Sequence, residues 1–345
     1  MTMNSLGART LVIASISVAV VCLVWLAMTV IDVLLLAFAG LLFAVLLRAI
    51  ADAIVRWTGL GTSVALGVTV LALLGGAAGT AWGLWPAISE QADQLVQEFP
   101  AAVSELRGWL EGRAWGAWLI ENAAPAESVD AGSVVSRATG AVVTTGSALA
   151  VLLIVGVVGL YVASQPDLYR RGLLRLVPVR GRARADEVLR EIAEVLRWWL
   201  LGTLASMTVV GVLTTVGLWW LGVPLALTFG LLAALLTFIP NIGPFISVLP
   251  PLVLALADEP IQAAYVAALY LAIQTVESYA VTPLIQRHTV ALPPALTITA
   301  QVALGVLAGG IGLAVATPLT AAAMTAVRML LVEDQLERRA PAGFV

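Results

Sequence analysis

The chain has 345 residues, 61% hydrophobic and 11% charged, with a formal net charge of −3 and a mean hydropathy of +1.00. Soluble domains carry about a quarter charged residues; water alone could not solvate this much apolar surface, so lipid is part of the solvent. One cysteine (Cys22), one histidine (His288) and eighteen basic residues that are all arginine exclude a disulfide framework or a thiolate metal centre within one chain, and leave few nucleophile–base arrangements for an enzyme.

Residues 1–85 hold three apolar runs of spanning length, 11–31, 33–51 and 62–85. The first is too long for a signal-peptide core and no small-residue cleavage site follows it, so it is expected to be a retained span. Asp32 marks the junction between the first two. Residues 86–138 carry eight acids and three arginines. Within them Ile88, Ala92, Leu95, Phe99, Val103, Leu106 and Leu110 recur at spacings of three and four, which predicts an amphipathic helix packing on another helix or subunit, with a possible kink at Pro100.

A fourth run, 139–164, leads into 165–197, where eight arginines face five acids. Arginine-rich connections lie on the cytoplasmic side. This segment is therefore expected to be cytoplasmic and helical, with Arg180 to Arg197 reading as a helix rich in Glu–Arg pairs that contacts anionic headgroups and has no role in nucleic-acid binding, and the acidic 86–138 lies outside. Arg9 and the 332–345 tail, with Arg338 and Arg339, put both termini in the cytoplasm, which calls for an even number of crossings.

Residues 198–331 read as the transport core. The run 198–221 is bracketed by Trp198-Trp199 and Trp219-Trp220, a spacing that suits an interfacial belt. Two stretches, 225–257 and 295–331, are about 50 Å long as helix, too long for one crossing and too short for two. Each is interrupted near its middle, the first by Pro240-Asn241-Ile242-Gly243-Pro244, the second by Gly309-Gly310-Ile311-Gly312. Proline removes a donor and clashes with the preceding turn, and opened backbone at membrane depth is tolerated where it lines a cavity. Each stretch is predicted to be a re-entrant hairpin, with the span 261–283 between them. The expected fold is an all-α polytopic membrane protein with about six full transmembrane helices and two opposed re-entrant helical hairpins, eight hydrophobic segments in total.

Glu277 is the carboxylate well inside a span of the C-terminal half, and such a group is costly unless it serves a function. Tyr270, Gln274, Ser278 and Thr282 recur every fourth residue beside it. Asn241 and Thr237 on one hairpin, with Gln301 and Thr299 on the other, could complete a polar cavity. The candidate binding or gating set is thus Glu277, Gln274, Ser278, Thr282, Gln301, Asn241, Pro240, Gly243, Pro244, Gly309, Gly310 and Gly312. These groups suit a small polar solute or a monovalent cation. With no basic residue inside a span, they do not suit a phosphate. No cofactor is expected.

The segments Ile239-Pro240-Asn241-Ile242-Gly243-Pro244, Glu277 to Pro283, Leu292-Pro293-Pro294 and Gly305 to Pro318 resemble the signature of the autoinducer-2 exporter (AI-2E) family of prokaryotic membrane proteins, the PerM-like permeases. Pro86, Gln91 and Pro100 fall where that family has Pro, Gln and Pro. Ser278 stands where the family commonly has Asn, and Gln286 where it has Gly. The resemblance implies a multi-pass permease of the cell (inner) membrane, a homo-oligomer, associated with efflux of a furanone-type signal or with sodium/proton antiport. No Gly-x4-Gly-Lys-Ser/Thr loop occurs. The leading expectation is secondary export of a small polar solute, with a sodium(lithium)/proton antiporter as alternative and a non-transporting membrane scaffold as the third reading.

Overall fold

The computed structural model describes residues 3–111, 145–281 and 292–331. Every regular element among them is helical. Met3–Thr58 (α1) is one unbroken helix, about 84 Å long. This corrects the junction expected at Asp32: the runs 11–31 and 33–51 are collinear and do not make two antiparallel crossings. The reason is local. No glycine or proline occurs between Ala8 and Ala39, and one aspartate in a helix costs well under about 1 kcal/mol. Thr62–Glu111 (α2) likewise continues through Pro86 into the acidic segment.

Thr145–Ser164 (α3) is followed after one residue by Pro166–Arg175 (α4), and the chain turns by 86° between them. After a short 3-10 turn, Val179–Gly181, comes Arg182–Trp220 (α5), in which the arginine-rich stretch and the next apolar run form a single helix. It ends where Gly222 adopts φ 72° and the Val223 amide donates to the Leu218 carbonyl at 3.0 Å, a cap that relies on glycine's access to the left-handed region. Ala226–Thr237 (α6), Ile242–Asp258 (α7), Pro260–Val276 (α8), a π-helical turn Glu277–Val281 and Pro294–Val327 (α9) complete the described chain.

Among the described residues, four helical stretches are long and apolar enough to cross a membrane: Val30–Thr58, Thr62–Thr80, Val179–Trp220 and Pro294–Leu331. A fifth is added if the bent pair α3–α4 counts as one, and α6 and α7 are shorter apolar helices.

Both sequence interruptions break the helix. At the first, Asn241 holds φ 67°, ψ −50° and the Ile242 amide donates to the Pro240 carbonyl at 2.8 Å, a γ-turn that is rare and strained. Helix α7 then returns alongside α6, so that Ala226 and Phe229 share one core with Leu254 and Ala255. At the second, Ala308 (φ −133°, ψ 18°) and Gly309 (φ 60°, ψ −141°) leave helical geometry inside α9, and the Gly309 conformation is open to glycine alone. The turn is sharp enough to bring Gly312 against the Leu304 carbonyl, eight residues back and about 12 Å away along a straight helix.

The three largest apolar clusters among the described residues tie the helices together. Leu35 and Leu42 of α1 meet Leu196, Trp199 and Leu200 of α5 and Val315 and Ala322 of α9. Ala44, Leu47 and Ala51 of α1 meet Ala65 and Leu66 of α2 and Ala163 of α3, where Arg48 Nε donates to the Ala163 carbonyl at 2.7 Å. The third joins the end of α5 to α6, α7 and α8. Gly211 of α5 and Gly230 of α6 face each other's carbonyls, the close approach small residues allow in membranes.

The tryptophan pattern needs one correction. Trp57, Trp82, Trp219 and Trp220 are exposed, but Trp199 is buried and packs edge-on against Phe238 at 5.7 Å. Its place on the inner face of α5 outweighs the interfacial preference. The second half of the acidic segment, Thr282, Arg287, His288 and the C-terminal tail lie outside the described residues.

Candidate functional site

A cavity of about 690 Å³ lies where α5, α8 and the two broken elements converge. Helix α8 sets its polar wall. Tyr270, Gln274, Glu277 and Ser278 all line it, because spacings of four, three and one keep them on one helical face. Glu277 opens the π-helical turn, a local widening frequently found at functional sites.

Two neutral donors among the described residues reach the carboxylate. Ser206 Oγ of α5 donates to Glu277 Oε1 at 3.2 Å, and Gln274 Nε2 donates to Glu277 Oε2 at 3.2 Å. Gln274 also reaches Ser278 Oγ at 3.5 Å. One helical turn back, Tyr270 Oη donates to the Ser247 carbonyl of α7 at 3.2 Å, fixing α8 against the first broken element.

That element supplies Thr237, Pro240, Asn241 and Pro244 to the cavity, together with Phe245, Val248 and Leu252. Gly243 stands just behind them; a Cβ there would overlap the Leu236 carbonyl. The second element contributes Pro294, Thr297, Thr317 and Ala321. Its glycines do otherwise. Gly309, Gly310 and Gly312 form the turn and do not line the cavity.

Gln301 joins the two elements. Its side chain is fully buried and its Nε2 donates to the Pro240 carbonyl at 2.8 Å and to Thr317 Oγ1 at 3.3 Å. Pro240 is where the helix opens, and its carbonyl, which accepts from the Ile242 amide within the turn, takes a second donor from across the fold. Gln301 Oε1 is buried with no partner among the described residues.

Of the polar residues named from the sequence, Glu277, Gln274, Ser278, Tyr270, Asn241 and Thr237 share the cavity, and Gln301 touches its wall through Pro240 and Thr317. Thr299 does not take part. It is exposed and its hydroxyl bonds back to the Ala295 carbonyl. Thr297 takes its place, since 297 and 301 are one turn apart whereas 299 faces the opposite side of α9.

The residues missed by sequence reasoning are on α5: Trp199, Thr203 and Ser206 line the cavity with Val195 and Val210. The signal was present as a stripe at spacings of four, four, three and four, carrying two hydroxyls through an apolar run. Beyond the cavity, Gln91 of α2 accepts at Oε1 from both the Thr228 amide (3.1 Å) and the Thr228 hydroxyl (2.8 Å), which caps the first turn of α6.

The family model described as AI-2E family transporter matches residues 14–331. Among curated proteins, the chain is 28% identical over 161 residues to YrrI of Bacillus subtilis (strain 168), 47% of this chain and 46% of that protein. It is 23% identical over 148 residues to YueF of the same organism, 43% and 40% of the two chains. It is 31% identical over 132 residues to YhhT of Escherichia coli (strain K12), 38% of each. All three are provisionally named transport proteins. Each match spans less than half of the relative's length.

Proposed function

This chain belongs to the AI-2E family of transporters, and from that premise we propose that it is a secondary transporter exporting a small polar solute through the cavity at Glu277. The observation that carries the reading is the composition of that cavity: both broken elements wall it, Glu277 stands in it, and Gln301 ties one element to the other. Its volume of about 690 Å³ falls in the range of small-molecule sites. One wall is polar (Ser206, Asn241, Gln274, Glu277, Ser278). The lining also includes apolar side chains (Trp199, Phe245, Val248, Leu252). No basic residue is among the described residues that line it, which suits a neutral or cationic solute over a phosphate. In this reading the two broken elements are re-entrant hairpins whose tips act as gates around Glu277. The arginine-rich 165–197 lies in the cytoplasm of a prokaryotic cell, and the protein works as a homo-oligomer.

A second reading, sodium(lithium)/proton antiport, is favoured by one feature: the carboxylate is grouped with oxygen-bearing side chains, Ser206, Ser278 and Gln274, that a small cation can use. One experiment separates the two. Purified protein in liposomes with a pH-sensitive dye inside is challenged with sodium or lithium pulses. Proton movement that disappears in Glu277→Gln establishes antiport. A silent dye turns the work to solutes retained by cells lacking the protein, with Glu277→Gln expected to slow their efflux about tenfold or more through loss of a charged hydrogen-bonding group. Unaltered transport and pH dependence in Glu277→Gln would sink the role given to that residue.

A further inference from the structure

We propose that α4 is a membrane-surface helix whose outer face docks on anionic phospholipid headgroups. The placement follows from the fold. Helix α3 has 20 residues, enough for a bilayer's apolar thickness, and exposes Leu149, Leu152, Leu153, Ile154, Val157 and Leu160. One residue later the chain turns by 86° into α4. A helix at right angles to a span and joined to it by a single residue lies at the lipid–water boundary.

The faces of α4 agree with that position. Leu168, Tyr169, Leu173 and, just past the end, Leu176 are exposed and fall within one arc of the helix. The other side is occupied: Leu174 is half-buried, and Arg170 Nε pairs with Asp186 Oδ1 of α5 at 3.3 Å. Asp186 is in turn bound by Arg190, so α4 is clamped to α5 by its inner face while its apolar outer face has no protein against it among the described residues.

Charge identifies the occupant. Arg171 and Arg175 border one edge of the apolar arc, and Arg180 follows beside the exposed Val179. None of these three is in an ion pair among the described residues, whereas Arg170, Arg184, Arg190 and Arg197 all are. An exposed apolar arc with cations on its rim is the pattern of an interfacial helix held by buried side chains and by attraction to anionic lipid.

The test uses the full chain in nanodiscs, with Leu173→Cys in a Cys22→Ser background carrying an environment-sensitive fluorophore, and Glu191→Cys as the water-facing control. In discs containing phosphatidylglycerol, the 173 probe is expected to be quenched by lipids spin-labelled near the headgroup and shielded from iodide, while the 191 probe shows the reverse. Lipid quenching at 173 should fall in discs of neutral phosphatidylcholine, and Arg171→Gln/Arg175→Gln/Arg180→Gln should abolish its dependence on anionic lipid. Iodide quenching at 173 equal to that at 191 would overturn the proposal. So would shielding from both quenchers, which would mean a second copy covers the face. These readouts are independent of any transport assay.

Discussion

The two broken elements solve one problem with different chemistry. At 238–241 the helix is opened by proline and closed by a γ-turn at Asn241, and the tip itself walls the cavity. At 308–309 it is opened by glycine, the tip stays away from the cavity, and the arms on either side present Thr297, Gln301 and Thr317. Both nevertheless close on a glycine pressed against a carbonyl seven or eight residues earlier, Gly243 on Leu236 and Gly312 on Leu304. The comparison separates two jobs. A side chain exposed by a break can line the cavity directly, as Asn241 does, or the break can serve only to set the angle between arms that carry the polar groups.

The largest effect should come from the closing glycines. Gly243→Ala and Gly312→Ala each drive a Cβ into backbone, overpacking that costs about 1–3 kcal/mol or more, and should lower the melting temperature in nanodiscs. Gly310, with open space around its Cβ position, should tolerate alanine within about 0.5 kcal/mol. Equal damage at 310 and 312 would show that flexibility, and not close approach, is what the second break requires.

Next comes the link between the elements. Gln301→Ala removes both donors and leaves Thr317 Oγ1 and one lone pair of Pro240 unsatisfied in a buried site, a loss of about 1–3 kcal/mol. Thr299→Val, on the opposite face of the same helix, should leave stability and transport unchanged within about 0.5 kcal/mol. A strong effect at 299 would contradict the facing assigned to α9.

A smaller effect is expected at the far end of the first element. Gln91→Ala strips the acceptor from the first turn of α6 and should cost about 0.5–2 kcal/mol, the scale of a lost helix cap. The loss would be read as faster hydrogen exchange at Thr228, with no change expected in α9. This asymmetry sharpens the comparison, because among the described residues only the first element is tied to α2 in this way.

Much of the site was legible because membrane burial makes polar residues conspicuous. Glu277 and the Tyr270–Gln274–Ser278 stripe stand out within an apolar run, and proline and glycine punctuate the two breaks. Ser206 and Thr203 were passed over for the opposite reason: hydroxyls satisfy themselves on their own helix backbone and carry little cost, so they do not announce a site. Trp199 was misplaced because aromatic residues suit both interfaces and cores. The continuity of α1 was missed because Asp32 resembles a loop residue in a hydropathy profile, though nothing around it stops a helix.

By itself the sequence determined the solvent, the helical class, the places where helices had to open and a carboxylate, Glu277, that had to be accommodated, since each follows from local covalent and solvation energetics. The tertiary structure decided what could not be local. It brought arms of both broken elements to one cavity, chose Thr297 over Thr299, supplied Ser206 to Glu277 from a helix seventy-one residues away in sequence, and gave the Pro240 carbonyl a second donor on Gln301, sixty-one residues distant in sequence. Hydrogen-bond satisfaction in a low-dielectric interior demands that such partners exist; only the packing of whole helices determines which residues they are.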